Sequence, residues 1–119
     1  MIKRSSDLQA LKRSCIRGGE GDARAVDYLV AGEMAGVEFL TVLTLEPGTS
    51  IGDHAHPDTE ELYLILSGEG EGVLDGDHFP VGPGDSWLVT SGHSHGLRNR
   101  PAGPLRLLAL LTRPNPAPR

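Results

Sequence analysis

Gly48–Glu61 reads GTSIGDHAHPDTEE, two histidines one residue apart, an acid five positions further on, and a glycine closing the Pro47-Gly48 turn just ahead of them. Successive side chains of a strand alternate between faces, so His54 and His56 project from one side of a sheet, about 7 Å apart along it. A second stretch, GDSWLVTSGHSHGLRN at 84–99, repeats the device: His93 and His95 share a face after the Ser91-Gly92 turn. A sheet that curls so that the two stretches face one another brings imidazoles and a carboxylate to one point. That donor set suits a borderline divalent metal such as zinc, manganese, iron, nickel or cobalt.

Working outward, Gly and Pro supply 25 of the 119 residues and punctuate the chain rather than cluster. Turns fall at Gly18-Gly19, Pro47-Gly48, Gly68, Gly76, Gly82-Pro83-Gly84 and Gly103-Pro104, which cuts the chain into short segments. Strands are expected at Ala23–Val30, Val37–Leu45, Ile51–His56, Glu61–Leu66, on both sides of the Asp75-Gly76 hairpin pair, and at Ser86–Val89, Gly96–Asn99 and Leu105–Thr112. Ahead of them, Ser6 is placed to cap one short helix over DLQALKRSC. The fold class is all-β, a small antiparallel barrel or jelly roll. The expected divisions are an N-terminal segment (1–22), the barrel (23–113) and a proline-rich tail (114–119).

The spacings carry a resemblance. Gly48, His54, His56, Glu61 and Gly68, separated by five, one, four and six residues, resemble the first motif of the cupin superfamily. Gly84, Thr90, Gly92, His95 and Asn99, separated by five, one, two and three, are similar to its second motif, with Thr90 where the family pattern carries a turn-stiffening proline. The resemblance implies a small single-domain metal-binding cupin of jelly-roll topology with His54, His56, Glu61 and His95 as ligands to one divalent ion, manganese, iron, nickel or zinc. The spacing to Gly68 selects Glu61 over Glu60, and the second motif selects His95 over His93. His93 is left at the mouth as an auxiliary acid–base group or a surface residue, and His78, after the hairpin turn, is expected to be exposed.

Other residues are candidates through their strand positions. Tyr63, two beyond Glu61, shares its face and is a candidate general base in a cationic site, or else a core aromatic. Trp87, Phe39 and Leu43 are candidate apolar walls. Arg98 and Arg106 are candidate grips for a substrate carboxylate, against outward solvation for each. The RGGEG stretch at 17–21 falls short of a phosphate-binding loop.

Composition narrows the partners. Sixteen acidic against eleven basic residues give a net charge of −5 with no basic stripe, which sets nucleic acid aside. Cys15 is the sole cysteine and has no disulfide partner in the chain, as in a reducing compartment, and is read as a small buried or incidental residue. The opening MIKRSSDLQALKR has no apolar stretch of a secretory signal, and the aliphatic run Leu107–Leu111 is too short for a bilayer, so the expected location is the cytoplasm. The strand ELYLILS at 61–67 is apolar on both faces, and Leu105–Leu111 shows the same excess. The outer leucines are expected to be covered in a homodimer, with the N-terminal segment as the other possible cover.

Function follows as an expectation. The chain reads as a metal-dependent enzyme on a small carboxylate, keto-enol or sugar-derived acid, as decarboxylase, isomerase, lyase or dioxygenase. The alternative is a non-catalytic module that binds a metal and a small molecule for sensing or carriage.

Overall fold

The computed structural model describes residues 1–100 and 102–114, so residues 115–119 of the expected tail lie outside the described residues. Among the described residues, ten strands form two antiparallel sheets. They are β1 (Leu11–Ser14), β2 (Asp22–Leu29), β3 (Val37–Leu45), β4 (Ser50–Ala55), β5 (Glu60–Ser67), β6 (Gly70–Leu74), β7 (Asp77–Val81), β8 (Ser86–Val89), β9 (Ser94–Asn99) and β10 (Leu105–Thr112). One sheet runs β1-β2-β3-β10-β5-β8 and the other β4-β9-β6-β7. The expected all-β jelly roll is what forms.

Alternation fills the space between the sheets. On β10, Leu105, Leu107, Ala109 and Leu111 are buried while Leu108 and Leu110 face outward. On β5, Glu61, Tyr63 and Ile65 point inward and Leu62, Leu64 and Leu66 outward. Ala23, Ala25, Leu43, Leu45, Ile51 and Leu97 complete the core, small residues on β2 leaving room for leucines across the gap.

The helix expected after Ser6 does not form. Ser5–Asp7 is a single 3-10 turn with no side-chain cap, and Leu11–Ser14 is a strand paired to β2. A helix of that length has too few hydrogen bonds to stand without a packed apolar face, and all four β1 residues are exposed. The free edge of β2 offers a full ladder instead. Arg13 adds a 2.7 Å ion pair to Asp27, and the Ser14 hydroxyl donates to Asp22 at 2.6 Å. Cys15, read as small and buried or incidental, is exposed.

A bulge in β4 positions the candidate ligands. Ile51 pairs with Leu97 and His54 with His95, three steps on one strand against two on the other. The extra residue at Gly52-Asp53 lets Ile51 and His54 both face inward despite their odd separation. Gly96 makes the bulge possible, because a Cβ there would strike the Asp53 carboxylate and lie 3.1 Å from the Ile51 carbonyl oxygen.

Candidate metal centre

His54 comes from β4, His56 from the residue after it, Glu61 from β5 and His95 from β9, so both sheets contribute. Their ligating atoms lie within 4.8 Å of one another. His95 Nε2 is 2.9 Å from His56 Nε2, 3.2 Å from His54 Nε2 and 2.9 Å from Glu61 Oε1. The three imidazole centroids are 4.7–4.8 Å apart, a near-equilateral triangle. His56, Glu61 and His95 are buried, and His54 is half-buried.

One backbone turn and two hydrogen bonds between the segments hold the set. The Thr90–His93 turn closes with His93 N–H donating to the Thr90 carbonyl at 3.1 Å. Gly92 N–H donates to the His56 carbonyl at 2.7 Å, and His56 N–H to the His93 carbonyl at 3.0 Å. These bonds stitch the two histidine segments together, so the turn is fixed without the proline that Thr90 replaces.

The donor set fits a cation on its own chemistry. His54 Nδ1 donates to the Gly52 carbonyl at 2.7 Å, which leaves a lone pair on its Nε2. The Thr59 hydroxyl takes the equivalent place at His56 Nδ1, at 2.8 Å. With the Thr59 hydroxyl as acceptor, the Nε2 atoms of His54 and His56 and the Glu61 carboxylate converge on at most one proton, at His95 Nε2. His95 Nδ1 is buried without a hydrogen-bond partner. A cluster so rich in lone pairs and poor in protons is complementary to a divalent ion.

Electrostatics agree. Burial first, then the neighbouring imidazoles, outweigh the Glu61 charge and lower His56 to about 4. His95 is lowered as well, burial again being the largest cause. At Glu61 burial alone would raise the carboxyl, but its contacts with His54, His95 and His56 together bring it to about 2. At neutral pH His56 and His95 are neutral and Glu61 is a carboxylate, the forms that ligate.

The remaining candidates fall in different places. Tyr63 is 2% exposed, stacks on His95 with centroids 4.4 Å apart, and meets Trp87 edge-on at 5.3 Å. Burial, then the Glu61 carboxylate, push its phenol well above its ordinary value, opposite to the direction a base needs. His93 is exposed and bonds Asp75 at 2.7 Å, outside the ligand cluster. His78 is exposed and pairs with Glu71 at 2.9 Å, and Glu60 points away from the centre. Phe39 and Leu43 line a cavity of about 160 Å³ that His54, Glu61 and Tyr63 share, with Trp87 packed behind Tyr63. Arg98 and Arg106 are exposed and open onto other surfaces. The arginines at this cavity are Arg13 and Arg17, which sequence reasoning did not single out as ligand-binding residues. Their only sequence signal is an arginine just before the Gly18-Gly19 pair.

The family model described as "Cupin domain" matches residues 41–111, which include all four ligating residues. The chain belongs to the cupin family. An oxalate-binding protein from Thermotoga maritima is 33% identical over 112 residues, covering 93% of each chain. A solved structure of a predicted oxalate decarboxylase from Thermotoga maritima superposes with a TM-score of 0.89 at 32% identity, over 95% of this chain and 99% of the other. The dimethylsulfoniopropionate lyase DddQ of Ruegeria pomeroyi is 39% identical over 82 residues, 67% of this cupin but 35% of the lyase.

Proposed function

We propose that this cupin is an enzyme that binds one divalent transition metal, manganese, iron, nickel or zinc, at His54, His56, Glu61 and His95, and acts there on a small carboxylate of the oxalate type. The observation that carries the reading is the about 160 Å³ cavity that opens onto His54 and Glu61 between apolar walls. When bound, the ion supplies Lewis-acid stabilisation of carboxylate or enolate charge. The chain's own residues do the rest. Phe39, Leu43 and Leu111 keep water from the reacting group, which strengthens every charge interaction in the pocket. Tyr63 keeps its proton at the hydroxyl beside Glu61 and serves as a donor in the site. The ligand set and the likeness to an oxalate-binding protein support this reading.

The name of that relative also favours a second reading, a module that binds a small carboxylate and releases it unchanged. Manganese- or iron-loaded protein incubated with oxalate and small 2-oxo acids, followed by NMR, separates the two. Consumption with release of a decarboxylated product is expected. Stoichiometric binding with no product would convert the enzyme reading into the binding one.

The outer face of the larger sheet points to self-association. Leu40, Leu110, Leu62 and Leu88 stand in register across four strands, and Val26, Val42, Leu108 and Leu64 form a second row beside them. Two aligned apolar rows on one sheet face are what a second copy would cover, and we propose a homodimer through them. Among the described residues no helix is long and apolar enough to cross a membrane. A cytoplasmic setting is proposed with it, in keeping with the exposed and unpaired Cys15.

A further inference from the structure

The cavity beside the ligand cluster is completed by residues outside the matched cupin segment. Arg17 lines it together with His54, Glu61 and Tyr63. Among the described residues no ion pair includes Arg17, whereas Arg13, the other arginine at the cavity, is engaged by Asp27 at 2.7 Å. Arg17 is also exposed, which puts it where the cavity meets solvent.

The backbone is built to hold it there. Cys15 (φ 52°, ψ 47°) and Arg17 (φ 52°, ψ 38°) both occupy the left-handed region, which non-glycine residues keep only when their surroundings over-determine it. The surroundings are a strap, residues 15–21, pressed onto β4. Cys15 N–H donates to the Gly21 carbonyl at 2.9 Å, and Ser50 N–H donates to the Glu20 carbonyl at 2.8 Å. Gly19 and Gly52 permit the contact, since a Cβ on Gly19 would strike the Ser50 carbonyl and one on Gly52 the Arg17 carbonyl. The strap thus seats on the strand that carries His54.

We infer that Arg17 is the specificity-determining residue of this cavity, a cation that takes one carboxylate of a small anion whose other end reaches the His54–His56–Glu61–His95 cluster. The inference rests on the proposed reading of that cluster as a metal centre for small carboxylates. The volume sets the size of the ligand. About 160 Å³ is room for a small acid of a few carbons beside the cluster. A guanidinium meets a carboxylate through two parallel N–H donors, so the site selects a charged, planar end group over a neutral amide.

Calorimetric titration of oxalate and of its neutral diamide into the zinc-loaded full chain tests this, with Arg17→Ala, Arg17→Lys and, as control, Arg98→Ala. The wild type is expected to prefer oxalate. Arg17→Ala should weaken oxalate about tenfold or more while leaving the diamide, the zinc content and the melting temperature unchanged. Arg17→Lys should fall between, because an ammonium keeps the charge and loses the fork, and Arg98→Ala should match the wild type. Wild-type affinity and preference in Arg17→Ala would overturn the assignment while leaving the metal-centre reading intact. Loss of zinc in Arg17→Ala would overturn it too, by making Arg17 part of the cluster's support. A wild type that takes up zinc but no oxalate, or no zinc at all, would overturn both readings.

Discussion

His95 Nε2 lies 2.9 Å from Glu61 Oε1, and this buried contact joins β9 of one sheet to β5 of the other. It makes the centre a crosslink as well as a site. Replacing His95 or His54 by alanine removes one of four converging donors, and metal content measured by mass spectrometry should fall from about one ion per chain to near none in each variant. A His54→Ala protein that still holds a full equivalent would reject the ligand assignment.

Because the ligands come from both sheets, an ion bound at the centre belongs to the folded state alone. Its binding should raise the melting temperature, by an amount set by concentration over Kd; a hundredfold excess corresponds to about 2.7 kcal/mol. Chelation should return the protein to the metal-free value. Equal melting temperatures with and without a saturating ion would mean that the four residues do not bind it.

Acid should destabilise the metal-free protein in two stages. His56 is held at about 4 against an ordinary 6.5, chiefly by burial, so between these values the unfolded chain binds more protons than the folded one. Stability therefore falls as pH drops from about 6.5 toward 4. Glu61 is held at about 2 against 4.5, and its contribution, present above 4.5, is lost as pH falls through about 2. Denaturant midpoints measured from pH 7 to pH 3 check the sign, and a flat profile down to pH 4 would contradict it.

Tyr63 and His93 should behave differently. Tyr63→Phe removes a buried hydroxyl beside Glu61, and turnover should fall with metal content retained. His93→Ala alters an exposed side chain paired with Asp75, and neither metal content nor turnover should change by more than about twofold. A large loss in His93→Ala would bring that rim pair into the reaction.

Much of this was legible in the residues. Val37–Leu45, Ser86–Val89 and Leu105–Thr112 are the strands that their apolar patterns and turn residues mark out, because in-and-out alternation and glycine turns are local properties. The convergence of His54, His56, Glu61 and His95 on one point is what the cupin motif spacing implies. What escaped is set by the third dimension. The β4 bulge leaves no trace in the pattern around Gly52-Asp53, since one extra residue changes which face a side chain meets without changing its type. The segment from Leu11 to Ser14 has a weak preference of its own, and the vacant edge of β2 decides it. Tyr63 sits on the expected face, but burial sets the direction of its titration, and burial is not written in neighbouring residues.

The outer leucines can be tested directly. Leu110 stands between Leu40 and Leu62 at the middle of its row, so Leu110→Glu places a charge where the proposed dimer is driest. Light scattering at micromolar concentration should show twice the chain mass for the wild type and a single chain mass for the variant. A monomeric wild type would remove the dimer.

The strap at residues 15–21 touches β4 from outside the matched segment 41–111, so on the proposed reading ion capture and anion choice are written in separate lengths of the chain. Exchanging the first twenty or so residues between cupins would amount to changing the lock plate while keeping the bolt. Such an exchange is a short route to a barrel that keeps its ion and answers to a different acid.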